Sequence, residues 1–300
     1  MTFRSGFACF VGRPNSGKST LTNALVGTKI AITSSKPQTT RHAIRGIVHR
    51  EDAQLVIVDT PGLHRPRTLL GQRLNDLVRD TLAEVDVIGF CVPADADVGP
   101  GDRYIAAELA KLAARTPVIG IVTKTDLVPP PRVAEQLTAL DRLDELPEFA
   151  ELVPVSAVDG FQVGLLADLL VARLPAGGPL YPDGALTDEP ELTLVAELVR
   201  EAALEGVRDE LPHSLAVVVE EMLPREGRDD LVDVHAIVFV ERASQKAIVI
   251  GRGGERLRSV GTAARRHIER LLGSKVHLDL HVKVAKDWQR DPRQLRRLGF

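Results

Sequence analysis

Gly12-Arg13-Pro14-Asn15-Ser16-Gly17-Lys18-Ser19 is the stretch that decides the fold. It fits G-x-x-x-x-G-K-[ST]. An apolar run at residues 7–11 leads into it, and a helical pattern at 17–26 leads out. A phosphate-binding loop needs that context. Glycines let backbone N–H groups close around phosphate oxygens, and the helix N-terminus that follows adds a favourable dipole. Lys18 is then the side chain for the β- and γ-phosphates, and the Ser19 hydroxyl is a ligand for Mg²⁺. Residues 12–19, with Thr20 behind them, are nucleotide-binding candidates.

Working outward, strand-like runs at 7–11, 43–48, 54–59, 87–92, 118–122 and 152–155 alternate with helical patterns at 17–26, 69–82, 102–114, 132–143 and 163–173. The alternation predicts an α/β domain: a mostly parallel sheet with helices on both faces. Ligands of such sheets bind at the carboxyl ends of the strands, and chemistry-bearing residues collect there. Asp59-Thr60-Pro61-Gly62 ends the third run; Asp59 suits Mg²⁺ held through water, and the Gly62 N–H suits sensing of a γ-phosphate. Thr123-Lys124-Thr125-Asp126 follows the fifth run and resembles the guanine-reading N-K-x-D of GTPases. A carboxylate at Asp126 accepts from guanine N1–H and the N2 amino group, a donor pair that adenine lacks. Each such bond contributes about 1.5–3 kcal/mol. The Lys124 stem would cover the base. Thr123 stands where asparagine is usual, and a hydroxyl has fewer bonding options than an amide. Ser156-Ala157 follows the sixth run, where GTPases place a backbone N–H to guanine O6. Lys36-Pro37-Gln38-Thr39-Thr40-Arg41 matches a first switch loop, with Thr40, or alternatively Thr39, closing onto Mg²⁺ and the γ-phosphate. Lys18, Thr40 and Gly62 are thus the catalytic candidates, and Ser19, Thr40 and Asp59 the metal candidates. Leu63 occupies the place where signalling GTPases commonly put a water-orienting glutamine, which predicts slow intrinsic turnover or help from another group. Asn15 is the candidate for holding a monovalent cation such as K⁺.

A chain of 300 residues suits two domains. No apolar run reaches the roughly 18 residues that span a bilayer. The first apolar stretch runs straight into the phosphate loop, so it reads as a strand and not a signal peptide; a cytoplasmic location is expected. Cys9 and Cys91 lack Cys-x-x-Cys spacing and read as two buried thiols. The segment 175–184 holds three prolines and three glycines and reads as a linker. The expected division is 1–175, a linker at 176–190, and 191–300. The last part follows a different order, α-β-β-α-α-β, with its two central helices joined by Gly251-Arg252-Gly253-Gly254. The net charge of -3 hides a strong asymmetry. Residues 187–241 hold 4 Lys/Arg against 15 Asp/Glu, and residues 242–300 hold 15 against 5. The basic block is a candidate footprint for a polyanion; the plainer alternative is a solvated surface.

The run Gly-Arg-Pro-Asn-x-Gly-Lys-Ser-Thr at 12–20, Lys-Pro-Gln-Thr-Thr-Arg-His at 36–42 and Asp-Thr-Pro-Gly-Leu-His at 59–64 together resemble the Era family of bacterial GTPases. Residues 240–254 resemble that family's KH domain, and Trp288, Asp291, Leu295 and Gly299-Phe300 resemble its ending. The resemblance covers essentially the whole chain; Ser16 and Thr123 are departures from it. It implies a P-loop GTPase domain that hydrolyses GTP to GDP with Mg²⁺, followed by an α+β type II KH domain. It implies binding to the single-stranded 3′ end of 16S rRNA, a role in assembly of the 30S ribosomal subunit, and loose peripheral association with the cytoplasmic membrane. A monomer is expected. In a KH domain the G-x-x-G loop clamps the nucleic-acid backbone. Gly251, Arg252, Gly253 and Gly254, with Lys246, Arg256 and Arg258 nearby, are the RNA-binding candidates. Lys283, Lys286, Arg290, Arg293, Arg296 and Arg297 with Trp288 admit two readings, a tail packed on the KH domain or a face for anionic lipid. Two other assignments compete: an ATPase on the same loop, which Asp126 opposes, and a membrane-associated regulatory GTPase whose C-terminal domain docks lipid or protein.

Overall fold

The computed structural model describes residues 2–300 apart from 35, 37, 38, 65, 113, 114, 147 and 208–210. Strand β1 (Arg4–Gly12) delivers the phosphate loop from inside a six-stranded sheet. The sheet also contains β2 (Ile44–His49), β3 (Ala53–Asp59), β4 (Val87–Pro93), β5 (Val118–Thr123) and β6 (Glu151–Pro154), in the order β2-β3-β1-β4-β5-β6. All neighbours are parallel except β2, which runs antiparallel to β3. Side chains alternate across β1 with a period of two: Ala8 and Phe10 enter one apolar cluster, Cys9 and Val11 the other. β3, β4 and β5 are buried along their whole length, which is why they read as continuous apolar runs.

Helices cover both faces, as the alternation predicts. α1 (Lys18–Val26) and α5 (Val163–Val171) pack Leu21, Leu25, Leu166 and Leu170 on the Phe10 side. On the Cys9 side, α2 (Leu69–Glu84), α3 (Pro100–Leu112) and α4 (Pro130–Asp141) contribute Val78, Ile105, Leu109 and Leu140. α3 begins two residues before the expected 102, and Ala114, its expected end, lies outside the described residues, as do Pro37 and Gln38 of the polar loop. Cys9 and Cys91 are free and buried. Burial pushes both thiols up, Cys91 to about 12, so both stay protonated at neutral pH.

The stretch read as a linker is bonded to the sheet. Buried Gln54 on β3 accepts from the N–H groups of Leu180 and Tyr181 at 2.6 and 2.8 Å and donates to the Tyr181 carbonyl at 2.9 Å. The Leu186 carbonyl takes the Ile47 N–H at 2.9 Å, and Asp188 pairs with Arg45 at 3.1 Å. The segment thereby covers the otherwise open edge strand β2.

A second compact unit is built on Glu189–Phe300. It contains α6 (Glu191–Leu204), a one-turn α7 (Leu211–Ser214), β7 (Ala216–Arg225), β8 (Arg228–Val240), α8 (Ala243–Ile250), α9 (Glu255–Leu272), β9 (Lys275–Val284) and α10 (Pro292–Arg297). The three strands lie in the order β7-β8-β9, antiparallel then parallel. α9 buries Val260, Ala264 and Ile268, one stripe at four-residue spacing. Trp288 is fully buried; its Nε1 donates to the Ser214 carbonyl at 3.0 Å and its ring stacks on Phe300 at 5.6 Å. The Arg297 guanidinium lies 5.8 Å from the centre of the Phe239 ring. The C-terminal segment therefore packs on its own unit, the plainer of the two readings, and Trp288 is not a surface residue.

Candidate functional site

α1, β3 and the loop before β2 bring three oxygens together where the phosphate loop closes. The Ser19 hydroxyl donates to Asp59 Oδ2 at 2.7 Å and lies 2.9 Å from Thr40 Oγ1, which is itself 3.2 Å from Asp59 Oδ2. Thr39 does not join them: its hydroxyl donates to the Lys36 carbonyl at 2.6 Å. Two hydroxyls and one carboxylate are hard donors of the kind Mg²⁺ takes, and a site with one carboxylate suits an ion that also binds phosphate. Among the described residues there is no group of three or more His, Cys, Asp or Glu placed to hold a metal ion. The donor set fits Mg²⁺ beside a nucleotide and not an all-protein metal cage.

Lys18 is buried beneath the loop, its ammonium donating to the carbonyls of Gly12 at 3.2 Å and Arg13 at 2.9 Å and to the Ser16 hydroxyl at 3.4 Å. Burial pushes it below the usual lysine range, and the nearby Asp59 works in the other direction. Asn15 holds a left-handed backbone, φ 63°, at the loop tip. Gly62 has to be glycine, because a Cβ there would come within 2.9 Å of the Pro14 nitrogen. Asp59-Thr60-Pro61-Gly62 is thus laid against the phosphate loop, with the buried Thr60 hydroxyl donating to the Phe10 carbonyl at 2.9 Å. Leu63 points into the core, only 3% exposed, and its aliphatic side chain has no polar atom with which to orient a water.

A cavity of about 220 Å³ opens beside the loop, lined by Gly17, Thr20, Leu21, Thr123, Lys124, Asp126, Leu127, Val155, Ala157 and Val158. Its walls are apolar and Asp126 stands in it. Ser156 Oγ donates to Asp126 Oδ1 at 2.8 Å and fixes the carboxylate. The Ser156 N–H is taken by the Phe161 carbonyl at 3.1 Å, which leaves Ala157 as the backbone donor of that pair facing the cavity. Lys124 is left-handed, φ 58°, and its ammonium pairs with Asp95 at 3.3 Å. Thr123 does what its shorter side chain allows: the buried hydroxyl donates to the Ser16 carbonyl at 2.7 Å, tying the loop after β5 to the phosphate loop.

In the second unit Gly251 (φ 74°) ends α8, and a Cβ on it would sit 2.7 Å from the Arg256 Cβ. Arg252 is exposed, and Lys246 is half-buried on α8. Arg258 curls back, its guanidinium donating to the Gly253 carbonyl at 2.8 Å, and so shapes the loop. Arg256 is committed elsewhere: it donates to the carbonyls of Glu205 at 2.7 Å and Ala203 at 3.3 Å, closing the end of α6. Beside the loop a groove of about 650 Å³ runs between α9 and β9. Leu257, Gly261, Leu278 and Leu280 line it together with Arg258, Thr262, Arg265 and His277. None of these but Arg258 was expected from sequence. The signal was there: 257, 261 and 265 repeat at four residues, alongside the buried stripe of α9.

The family model described as 50S ribosome-binding GTPase matches residues 7–124, and the KH domain model matches residues 210–289. Proteins called GTPase Era in Mycolicibacterium smegmatis and Mycobacterium tuberculosis are 70% and 68% identical to this chain, each match covering 99% of both chains. A crystal structure of Era in complex with MgGDPNP and nucleotides 1506–1542 of 16S ribosomal RNA superposes with a TM-score of 0.94 at 36% identity, over 99% of each chain. An Aquifex aeolicus Era variant bound to GDP·AlF4⁻ gives the same TM-score, identity and coverage.

Proposed function

The chain belongs to the Era family of GTPases, and from that premise we propose that it couples GTP hydrolysis to recognition of the 3′ end of 16S rRNA during assembly of the 30S subunit. Residues 12–20 bind the phosphates, with Lys18 on the β- and γ-oxygens. Ser19 and Thr40, with Asp59 beside them, would hold Mg²⁺, which would supply positive charge at the phosphates. The Gly62 N–H meets the γ-phosphate. Asp126 reads guanine, Lys124 covers it, Thr123 and Ser156 orient the readers, and the Ala157 N–H meets O6. Water adds to the γ-phosphorus as the bond from that phosphorus to the β–γ bridging oxygen breaks, giving GDP, inorganic phosphate and a proton; no glutamine orients that water, since Leu63 is in the core, so intrinsic turnover is slow. Asn15 is the residue for K⁺, and turnover higher in KCl than in NaCl is the result expected.

Residues 1–175 form the GTPase domain, 176–190 connect it, and 191–300 form the KH domain. RNA lies along the α9–β9 groove with its backbone at Gly251–Gly254, where Arg252, Arg258 and Lys246 meet phosphates. The Era structure with nucleotides 1506–1542 of 16S rRNA supports this choice of ligand. A cytoplasmic monomer with peripheral membrane contact completes the reading; no helix among the described residues is long and apolar enough to cross a membrane. The observation that carries the proposal is the cluster of Ser19, Thr40 and Asp59 within 3.2 Å, at one end of a chain whose other end carries the G-x-x-G loop. The test is GTP turnover with and without an oligonucleotide of the 16S rRNA 3′ end. Altered turnover and binding that weakens with salt are expected; no binding at low salt refutes the RNA assignment.

A further inference from the structure

Asp102 belongs to neither nucleotide motif, yet it is fully buried in the first turn of α3 and faces the phosphate loop. One oxygen, Oδ1, lies 2.8 Å from Arg13 Nε, and the other accepts the Gly99 N–H at 2.9 Å. The same arginine donates to the Asp97 carbonyl at 3.3 Å. Its stem lies against the helix end, because a Cβ on Gly101 would come within 2.9 Å of Arg13 Cδ. Arg13 is in turn the residue whose carbonyl accepts the Lys18 ammonium at 2.9 Å. A chain of contacts runs from Asp102 to the Arg13 guanidinium, and from the Arg13 carbonyl to Lys18.

The segment that carries Asp102 is itself held. Buried Gln136 on α4 donates to the carbonyls of Pro93 at 3.1 Å and Ala96 at 2.8 Å. Arg132 pairs with Asp97. Asp95, seven residues before Asp102, pairs with Lys124 at 3.3 Å. One connection between β4 and α3 therefore grips the phosphate loop through Arg13 and the base-reading loop through Lys124.

The geometry points to Asp102 as a positioning residue for the reaction: through Arg13 it sets the backbone to which Lys18 is anchored, and so the placement of the Lys18 ammonium against the phosphates. A staple that only joined α3 to the sheet would need no partner inside the phosphate loop. A carboxylate taken wholly out of water needs its cation, so removing either side of the pair disturbs the other. Small displacements of a charge that stabilises the transferring phosphoryl group are felt strongly in rate.

The inference rests on residues 12–19 being the phosphate loop, and the experiment separates the two. In the full chain with Mg²⁺, GTP turnover is measured well below the melting temperature for the parent, Asp102→Asn, Arg13→Gln, the double variant and Lys18→Ala. Lys18→Ala must abolish turnover if the loop is correctly assigned. Asp102→Asn keeps an acceptor for Gly99 but loses the charge that holds Arg13. Each of the two single variants is expected to lower kcat/KM about tenfold, and the double variant also about tenfold, because both act through one contact. A hundredfold loss in the double variant, or single variants that melt earlier but turn over within about twofold of the parent, overturns the proposal. Should Asp102→Asn fail to fold, Arg13→Lys decides. It returns a cation to Asp102 and is expected to recover most of the turnover lost in Arg13→Gln; no recovery overturns the proposal.

Discussion

Replacing Thr123 by valine removes one hydroxyl at nearly constant shape, and the structure sets its cost. Thr123 and Ser16 are both buried, and the bond between them is 2.7 Å long. Valine leaves the Ser16 carbonyl without that donor, and a buried acceptor so deprived costs about 1–3 kcal/mol. In the proposed function nucleotide also joins these two loops, so the loss divides between the stability of the first domain and its affinity for GDP. Taking about 2 kcal/mol and an even division, about 1 kcal/mol falls on binding, which is roughly fivefold in Kd. The other share lowers the melting temperature by about 2–4 °C in a domain of this size. Thr123→Asn is the counter-experiment: its amide can donate to the same carbonyl, so affinity is expected to match the parent. Fluorescent GDP titration with a thermal melt measures both quantities. Unchanged affinity and melting in Thr123→Val, or a valine-like loss in Thr123→Asn, refutes the tether.

Asp126→Asn exchanges an acceptor for a donor and is expected to shift preference from guanine to xanthine nucleotides; retained guanine preference in a competition assay counts against Asp126 as the reader. Arg252→Ala is expected to lower the salt slope of RNA binding by about 0.7, the value for one phosphate released on a single strand. Arg256→Ala, whose guanidinium closes α6, should lower the melting temperature of the KH domain and leave that slope alone; the reverse pattern would exchange their roles. Arg228, and then Lys275, hold the Asp230 carboxyl down to about 2. A depressed carboxyl stabilises the fold above its unfolded value and loses that contribution as pH falls through the folded one, so the β7–β8 hairpin keeps this pair down to about pH 2. An ordinary carboxylate titration of Asp230 by NMR contradicts it.

Much of this was readable beforehand, for identifiable reasons. Parallel strands buried on both faces announce themselves as apolar runs, as β3, β4 and β5 do; β1, β6 and the antiparallel β2 are legible to within a few residues from shorter apolar runs beside helical patterns. Residues 12–19, Asp59–Gly62 and Asp126 stand out in the sequence because each follows the end of a strand. What escaped is what sequence spacing does not encode. Asp102 reads as an ordinary acidic residue in a first helical turn until the fold sets it against Arg13. Arg256 and Arg258 look alike four residues or fewer beyond the glycine loop, and only the path of α6 separates a structural arginine from a loop-shaping one. The stretch from 176 to 188 has the composition of a free linker, yet buried Gln54 reads its backbone. α10 was legible in principle, since Asp291 before Pro292 is a helix-start signal, and its cap forms with Arg293 at 2.8 Å.

The most direct test compares GTP and ATP as substrates of the unmodified chain with magnesium, each at saturating concentration and followed by phosphate release. Slow hydrolysis of GTP with none of ATP is the result this account predicts. Equal turnover of the two contradicts the guanine site at Asp126 and everything assigned from it.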